Sequence, residues 1–422
     1  MFRIFVYAAI LLSCNGHKNE TSIYPVDSIK NKVIDTSTLE INAAQLIEKN
    51  FKHQEISLNQ VFVKLSGGDS FYLQIPLNYQ LSVAAEGLGR LRFLAISQGG
   101  RLFATDMYDR SDNHKGRVLL FDEWNDTIKK FRTVKVFIDS LHNPNQVAFY
   151  KGFMYVAETD RLSRYVYSDS KDHPLDTGQV IMTFPAYGLG YKYGGWHLTR
   201  SLAFHNNKLY VSVGSSCNAC VETEEIRATV IEMDPGGGNV KYFARGLRNT
   251  VGLKWIGNEL WGTGMGRDLI GPDKPEDTFQ KIDSNGYYGW PYYFQYHQNI
   301  YEDDQFKDSG KSAWVKKPPI AYLGFKAHSA PLGFDHFKNF NDMGLNNSIL
   351  VCLHGSTSVW RERGNSIVKV EADNKYSAVI SGFLTGKTEA GRHGRPCDIL
   401  MKDDHSFFFT DDLNGVLYFV WK

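Results

Sequence analysis

Five short stretches of this sequence pair titratable or cationic side chains with glycine, the combination that lets a loop bring chemistry close to a ligand. The first is Gly194-Gly195-Trp196-His197-Leu198-Thr199-Arg200. A neutral imidazole near pH 7 can accept a proton from a hydroxyl, so His197 is a candidate general base; a purely structural histidine would leave the same trace. The second is Ala244-Arg245-Gly246-Leu247-Arg248-Asn249, in which Arg248 and Asn249 could clamp an anion or a carbonyl oxygen, or simply close a turn. The third, Gly264-Met265-Gly266-Arg267-Asp268, runs on to Asp273 and Pro275-Glu276-Asp277. Oxygen-rich, glycine-punctuated loops suit calcium, and a solvated acidic loop has the same composition. The fourth, His354-Gly355-Ser356, is followed by Trp360, Arg361 and Arg363, and the fifth is Gly391-Arg392-His393-Gly394-Arg395-Pro396. Arginines from several such loops, if they met at one place, would make a site for a polyanion.

The elements between these loops repeat. A short apolar strand, a polar turn and a second strand rich in aromatic or branched residues recur six times, starting at Phe93, Gln146, Ser201, Val251, Pro331 and Cys397. Each pair precedes another alternating strand, over 117–122, 162–167, 228–234, 278–283, 366–371 and 416–421. A spacing of this size is that of propeller blades. One small sheet cannot bury both faces, whereas six stacked radially can. The expected fold is therefore all-β, a six-bladed β-propeller of four-stranded antiparallel blades. A β-sandwich is the competing arrangement, and six copies of one hairpin argue against it. Tyr72 to Ala84 reads as a single strand that closes the ring against the last blade. The expected division is 1–14 signal peptide, 15–70 polar tether or extension with a short helix at 39–51, and 71–422 propeller.

Composition agrees with a globular chain: 42% hydrophobic, 22% charged, and 14% aromatic with 38 glycines, as tightly turned strands require. A net charge of +1 gives no electrostatic reason to expect a nucleic-acid partner. At the start, Met1-Phe2-Arg3 precedes an apolar run over 4–12 that is too short to span a bilayer. It ends in Leu11-Leu12-Ser13-Cys14, which resembles the bacterial lipobox and implies cleavage before Cys14 and lipidation of that residue. Asn15 is not the aspartate associated with inner-membrane retention, so the expectation is a lipid-anchored protein of the outer membrane or periplasm. In such an oxidising compartment Cys217 and Cys220, a C-x-x-C pair, read as a disulfide stiffening a loop. The next residue is Val221, which excludes a c-type haem motif, and with no second C-x-x-C a four-thiolate zinc site is disfavoured.

Several longer segments, in order, resemble the soluble quinoprotein glucose/sorbosone dehydrogenase family, and most closely its sorbosone dehydrogenase-like branch. They are WHLTRSLAFHNNKLYVSVGSSCNAC (196–220), ARGLRNTVGL (244–253), GMGRD (264–268), GYYGWP (286–291), HSAPLGF (328–334), LHGS (353–356) and GRPCDILM (394–401). The resemblance spans roughly residues 90–421. It implies a six-bladed propeller that binds pyrroloquinoline quinone and calcium and oxidises a sugar, polyol or aldehyde-type substrate. It makes His197 the base that takes the substrate proton as hydride passes to the quinone. It puts Arg248 and Asn249 against the cofactor, the carbonyls of Gly266 and Arg267 on calcium, and Arg200 along the site. Arg395 would meet a cofactor carboxylate, with Arg361 or Arg363 in a like role, and Asn145 or Gln146 would be a polar cofactor contact. Electrons would leave to an external acceptor. Two motifs depart from the family pattern. Thr278 stands where a carboxylate is usual, and Gly355-Ser356-Thr357-Ser358-Val359-Trp360-Arg361 replaces the usual Gly-Ser-Trp-Asn-Arg. A propeller that only binds carbohydrate or protein, and a calcium-dependent lactonase, are the alternatives of other classes.

Overall fold

The computed structural model describes residues 56–185, 197–356 and 362–422. Among these there is no α-helix, and the chain forms six four-membered antiparallel blades around an axis. Blade 1 comprises Leu91–Ile96, Leu102–Asp106, Gly116–Asn125 and Lys130–Leu141, and blade 2 Gln146–Tyr150, Phe153–Ala157, Arg161–Val166 and Gln179–Thr183. Blade 3 comprises Arg200–His205, Lys208–Val213, Thr229–Met233 and Lys241–Arg245, with Gly286–Tyr287 added in parallel at its edge. Blade 4 has Leu253–Ile256, Glu259–Gly264 and Asp277–Ile282, and takes its outer strand, Leu323–Phe325, after a long excursion that includes the hairpin Tyr293–Tyr296 with Asn299–Glu302. Blade 5 comprises Pro331–Phe337, Ser348–Leu353, Ser366–Glu371 and Lys375–Ile380. Blade 6 joins Pro396–Asp403, Ser406–Asp411 and Val416–Trp421 to the distant strand Gln80–Ala85.

The closing strand is thus present, but Tyr72 to Ala84 is two strands rather than one. Ser70–Pro76 pairs with Leu58–Lys64 in a separate hairpin, and only Gln80–Ala85 joins blade 6. The break follows Pro76, where Asn78 turns with φ of 72°, a conformation that asparagine tolerates better than most residues. The expected helix at 39–51 lies outside the described residues.

Packing explains why the second strands read as unbroken apolar runs. Leu102–Asp106, Ser348–Leu353 and Ser406–Asp411 are buried at every position, because neighbouring blades cover both faces. The peripheral strand Gln179–Thr183 has no buried position. Each blade interface has its own apolar cluster. Blades 6 and 1 share Leu91, Leu102, Leu119, Phe408 and Phe419, and blades 4 and 5 share Trp261, Phe279, Phe334 and Val351. The first hairpin extends the cluster between blades 5 and 6 through Val63, Leu73 and Ile75.

Near the axis, hydroxyls fasten one blade to the next. Thr105 donates to the carbonyl of Asn145 at 2.6 Å, Ser201 to Val251 at 2.5 Å, Thr263 to Leu332 at 2.9 Å and Thr410 to Arg92 at 2.7 Å. Thr263 Oγ1 also accepts the Gly252 amide at 2.8 Å. Thr263→Val keeps the shape and removes both bonds at a fully buried position. A loss of about 2 kcal/mol of stability is expected in denaturant titration, and an unchanged midpoint would mean the latch contributes nothing.

Candidate functional site

In an antiparallel hairpin, the start of the first strand and the end of the second lie at the same end. All six blades therefore bring those two positions to one mouth of the ring. Arg90 and Arg92 arrive at the start of blade 1, Arg248 and Asn249 before blade 4, and Arg395 before blade 6. The ends of second strands deliver Met107 and Arg110, Met265 and Gly266, and His354 with Gly355. Together with His197, Asp268, Asp277 and His328 they line a cavity of about 540 Å³. Its floor is apolar: Phe93, Val251, Leu332 and Cys397 pack together beneath Met265.

His197 stands at this cavity with φ of 52°, a left-handed backbone unusual outside glycine and a mark of constrained sites. Its Nδ1 lies 3.1 Å from the Ser215 carbonyl and 2.8 Å from Ser215 Oγ, whose hydroxyl donates to the Cys217 carbonyl at 2.8 Å. With that hydroxyl proton committed, Nδ1 carries hydrogen and donates to Ser215, so Nε2 is the basic nitrogen. Burial first, and the Arg248 charge second, hold His197 well below the usual imidazole range, so the ring stays neutral and able to accept a proton. Gly214 is needed for this approach. A methyl group there would lie 2.6 Å from His197 Cβ and 2.8 Å from Asn249 Oδ1.

Arg248 is held by the loop that Cys217 and Cys220 close as a disulfide. Its Nε donates to the Asn218 carbonyl and one terminal nitrogen to Asn218 Oδ1, both at 2.9 Å. The same Asn218 Oδ1 accepts the Asp268 amide at 2.8 Å, and its Nδ2 donates to the Asp268 carbonyl at 3.1 Å. One side chain therefore sets both the guanidinium and the glycine-rich loop. Burial lowers the Arg248 pKa to about 10, still a cation at neutral pH. Among the described residues, buried Asn249 has no partner for its Oδ1 and only the Met265 sulfur, at 3.5 Å, for its Nδ2, so the amide is under-satisfied.

On the opposite wall a second buried cluster surrounds Asp412. Its carboxylate accepts from Arg92 at 2.7 Å, Arg90 at 3.0 Å and His354 Nε2 at 2.6 Å. Burial works against the Asp412 charge, but His354 and the two guanidiniums outweigh it and keep the carboxyl well below its usual range. Burial, then Arg395, pushes His354 down to about 3, so it is neutral and donates. Arg395 donates to the carbonyls of His354 and Gly355, and burial lowers its pKa to about 9.

The glycine-rich loop presents oxygen chemistry. Asp277 is buried, accepts the amides of Gly266 and Ala330 at 2.8 Å each, and burial raises its pKa to about 6. Asp268 meets His328 Nδ1 at 3.1 Å. Gly266 lines the cavity, whereas the Arg267 side chain turns away to Asp303 at 2.6 and 2.9 Å. Two carboxylates and a backbone turn are hard donors of the kind calcium takes. Arg90 and Arg92 on Asp412, with Arg395 next to them and the under-satisfied Asn249 across the cavity, fit a compact ligand with several carboxylates.

Some sequence candidates sit elsewhere. Arg200 does not line the cavity; its guanidinium is buried on the carbonyls of His197, Thr199 and Pro185 at 2.8, 2.9 and 3.0 Å, where it shapes the loop carrying His197. Gln146 faces the next blade, accepting the Leu202 amide at 2.8 Å. Its neighbour Asn145 reaches the cavity wall, accepting from Arg92 at 3.2 and 3.3 Å. Arg363 pairs with Asp273 at 2.7 Å outside the cavity. Arg361 and Cys14 lie outside the described residues. The sequence reading missed Arg90, Arg92, Arg110 and Asp412. Their common signal is position, within four residues of the start of a first strand or the end of a second.

Fold and site together define a six-bladed propeller whose ligand chemistry converges on one arginine-rich mouth. The chain belongs to the TrAA12-like family, whose model matches residues 73–422. Among solved structures it is similar to a Trichoderma reesei carbohydrate-active enzyme of family AA12, with TM-score 0.66 and 16% identity over 88% of this chain and 99% of that one. It is equally similar to the holo form of the PQQ domain of Coprinopsis cinerea pyranose dehydrogenase, with TM-score 0.66 and 16% identity over 85% and 98%. A PQQ-bound aldose sugar dehydrogenase from Streptomyces coelicolor follows, with TM-score 0.54 and 16% identity over 82% and 99%. No curated protein matches the chain.

Proposed function

We propose that the protein is an exported quinoprotein dehydrogenase that oxidises a sugar of the aldose or sorbosone type, with His197 as general base. The observation that carries this reading is His197 itself, its Nδ1 fixed by Ser215 and its charge suppressed by burial and Arg248, facing a cavity rich in buried guanidiniums. Pyrroloquinoline quinone, with calcium, would supply the acceptor for the hydride leaving the sugar carbon. Arg90, Arg92 and Arg395 would hold its carboxylates, Arg248 and Asn249 its carbonyl region, and the Gly266 and Arg267 carbonyls with Asp268 or Asp277 the metal. His197 Nε2 takes the proton of the substrate hydroxyl as the carbon loses hydride, leaving a lactone or acid. The apolar floor beneath Met265 excludes water from that side of the cavity. The leader sequence ending at Cys14 supports export and lipid attachment, in the periplasm or at the outer membrane, with an external electron acceptor.

Reconstitution tests the reading. Purified protein loaded with pyrroloquinoline quinone and calcium should reduce a dye in the presence of aldoses, and should do so with neither component alone. An absorbance spectrum lacking bound quinone, with no dye reduction across a broad sugar panel, would sink it. Lactone hydrolysis supported by calcium alone would assign the site to a hydrolase instead.

A further inference from the structure

The loop after the second strand of blade 1, residues 107–115, brings Arg110 to the cavity. Its acids are consumed internally. Asp109 accepts the Ser111 amide at 2.7 Å, and Asp112 meets His142 Nε2 at 2.5 Å. Asn143 ties the loop to the corner between blades 1 and 2, accepting the Asn113 amide at 2.9 Å and donating to the Ser111 carbonyl at 3.0 Å. The loop is therefore anchored on its outer side. Arg110 at its tip is exposed and has no hydrogen-bond or ion-pair partner among the described residues.

Arg110 also adds like charge to a crowded wall, since its field bears on Arg90, Arg392 and Arg395. Five guanidiniums line the cavity against the carboxylates of Asp268 and Asp277, with Asp412 behind. A calcium ion and a tricarboxylate cofactor, added to that set, leave one positive charge uncompensated. The other four guanidiniums have partners, Asp412 for Arg90 and Arg92, Asn218 for Arg248 and the His354 and Gly355 carbonyls for Arg395, so the unmatched charge falls to the outermost, Arg110.

We propose that Arg110 selects a substrate bearing its own carboxylate, a hexuronic acid, over the uncharged aldose. This deepens the sugar-dehydrogenase reading and rests on it. A charge-assisted hydrogen bond from a guanidinium to a carboxylate is shorter and stronger than a neutral one, and its loss costs on the order of tenfold in discrimination.

The experiment compares glucuronate with glucose, and galacturonate with galactose, in the protein loaded with pyrroloquinoline quinone and calcium. The uronate should have the higher kcat/KM, with a KM that rises with salt while that of the aldose does not. In Arg110→Gln the uronate-to-aldose ratio of kcat/KM should fall by about tenfold, and Arg110→Lys should restore part of it. An unchanged ratio overturns the proposal, and so does Arg110→Gln weakening quinone binding while leaving the ratio alone. If no sugar is oxidised by quinone-loaded protein, the dehydrogenase reading fails separately. Calorimetric binding then decides for Arg110: glucuronate bound by the native protein and lost in Arg110→Gln supports it, and no glucuronate binding by the native protein overturns it.

Discussion

His197→Ala should lower kcat by about 10²–10⁴-fold, the usual contribution of a positioned general base, while quinone binding and thermal stability stay near native. That is about 3–5 kcal/mol of transition-state stabilisation. The pH profile gives a readout that a structural histidine would not move. Burial and Arg248 both lower the His197 pKa, so the basic form persists well below pH 6.5 and the acid limb of kcat/KM should lie there too. Arg248→Gln removes the largest of the charge contributions. The His197 pKa then rises, the basic form is lost at higher pH, and the acid limb should move up toward 6.5. Activity of His197→Ala within a few-fold of native would end the base assignment; a limb that ignores Arg248 would end the electrostatic account.

The second large effect is expected at a residue that touches no substrate. Asn218→Ala removes the Oδ1 that holds both Arg248 and the Asp268 amide. A buried guanidinium then loses a partner, and the glycine-rich loop loses its tie to the disulfide loop. Displacing a catalytic group by about 1 Å costs on the order of 10²-fold, and a fall of that size in kcat/KM is expected. The replacement Cys217→Ser with Cys220→Ser should move in the same direction and less far, because Asn218 remains but its loop is no longer pinned. Native kinetics in Asn218→Ala would show that Arg248 is placed by other contacts, its Nε bond to the Asn218 carbonyl first among them.

Much of the architecture was legible from period-two patterns. The hairpins beginning at Phe93, Gln146 and Ser201 become the inner strands of blades 1, 2 and 3, because burial between blades writes alternation and apolar runs into the chain. What pattern could not supply was partnership between distant segments. Ser70–Pro76 and Gln80–Ala85 look like one strand because both are apolar, and only their different neighbours separate them. The site divides in the same way. His197, Arg248 and Arg395 stand in glycine-rich loops with visible chemistry. Arg90 and Arg92 lie in a plain Gly-Arg-Leu-Arg stretch, and Asp412 belongs to the far end of the chain. Their meaning appears only when the ring brings residues more than three hundred positions apart into contact. Arg200 shows the opposite error: a residue beside the catalytic candidate whose side chain supports the backbone instead.

The closing of blade 6 by Gln80–Ala85 makes the ring a clasp whose two halves are translated far apart in time. Val416–Trp421, the partner of the closing strand, is made more than three hundred residues after it. Until it emerges, residues 80–85 lack their partner, and the wall that joins Asp412 to Arg90 and Arg92 does not exist. A nascent or C-terminally clipped chain therefore carries the His197 side of the site without its anion-binding side. It would remain open and readily digested, and would gain ligand affinity and protease resistance together when Val416–Trp421 docks against Gln80–Ala85.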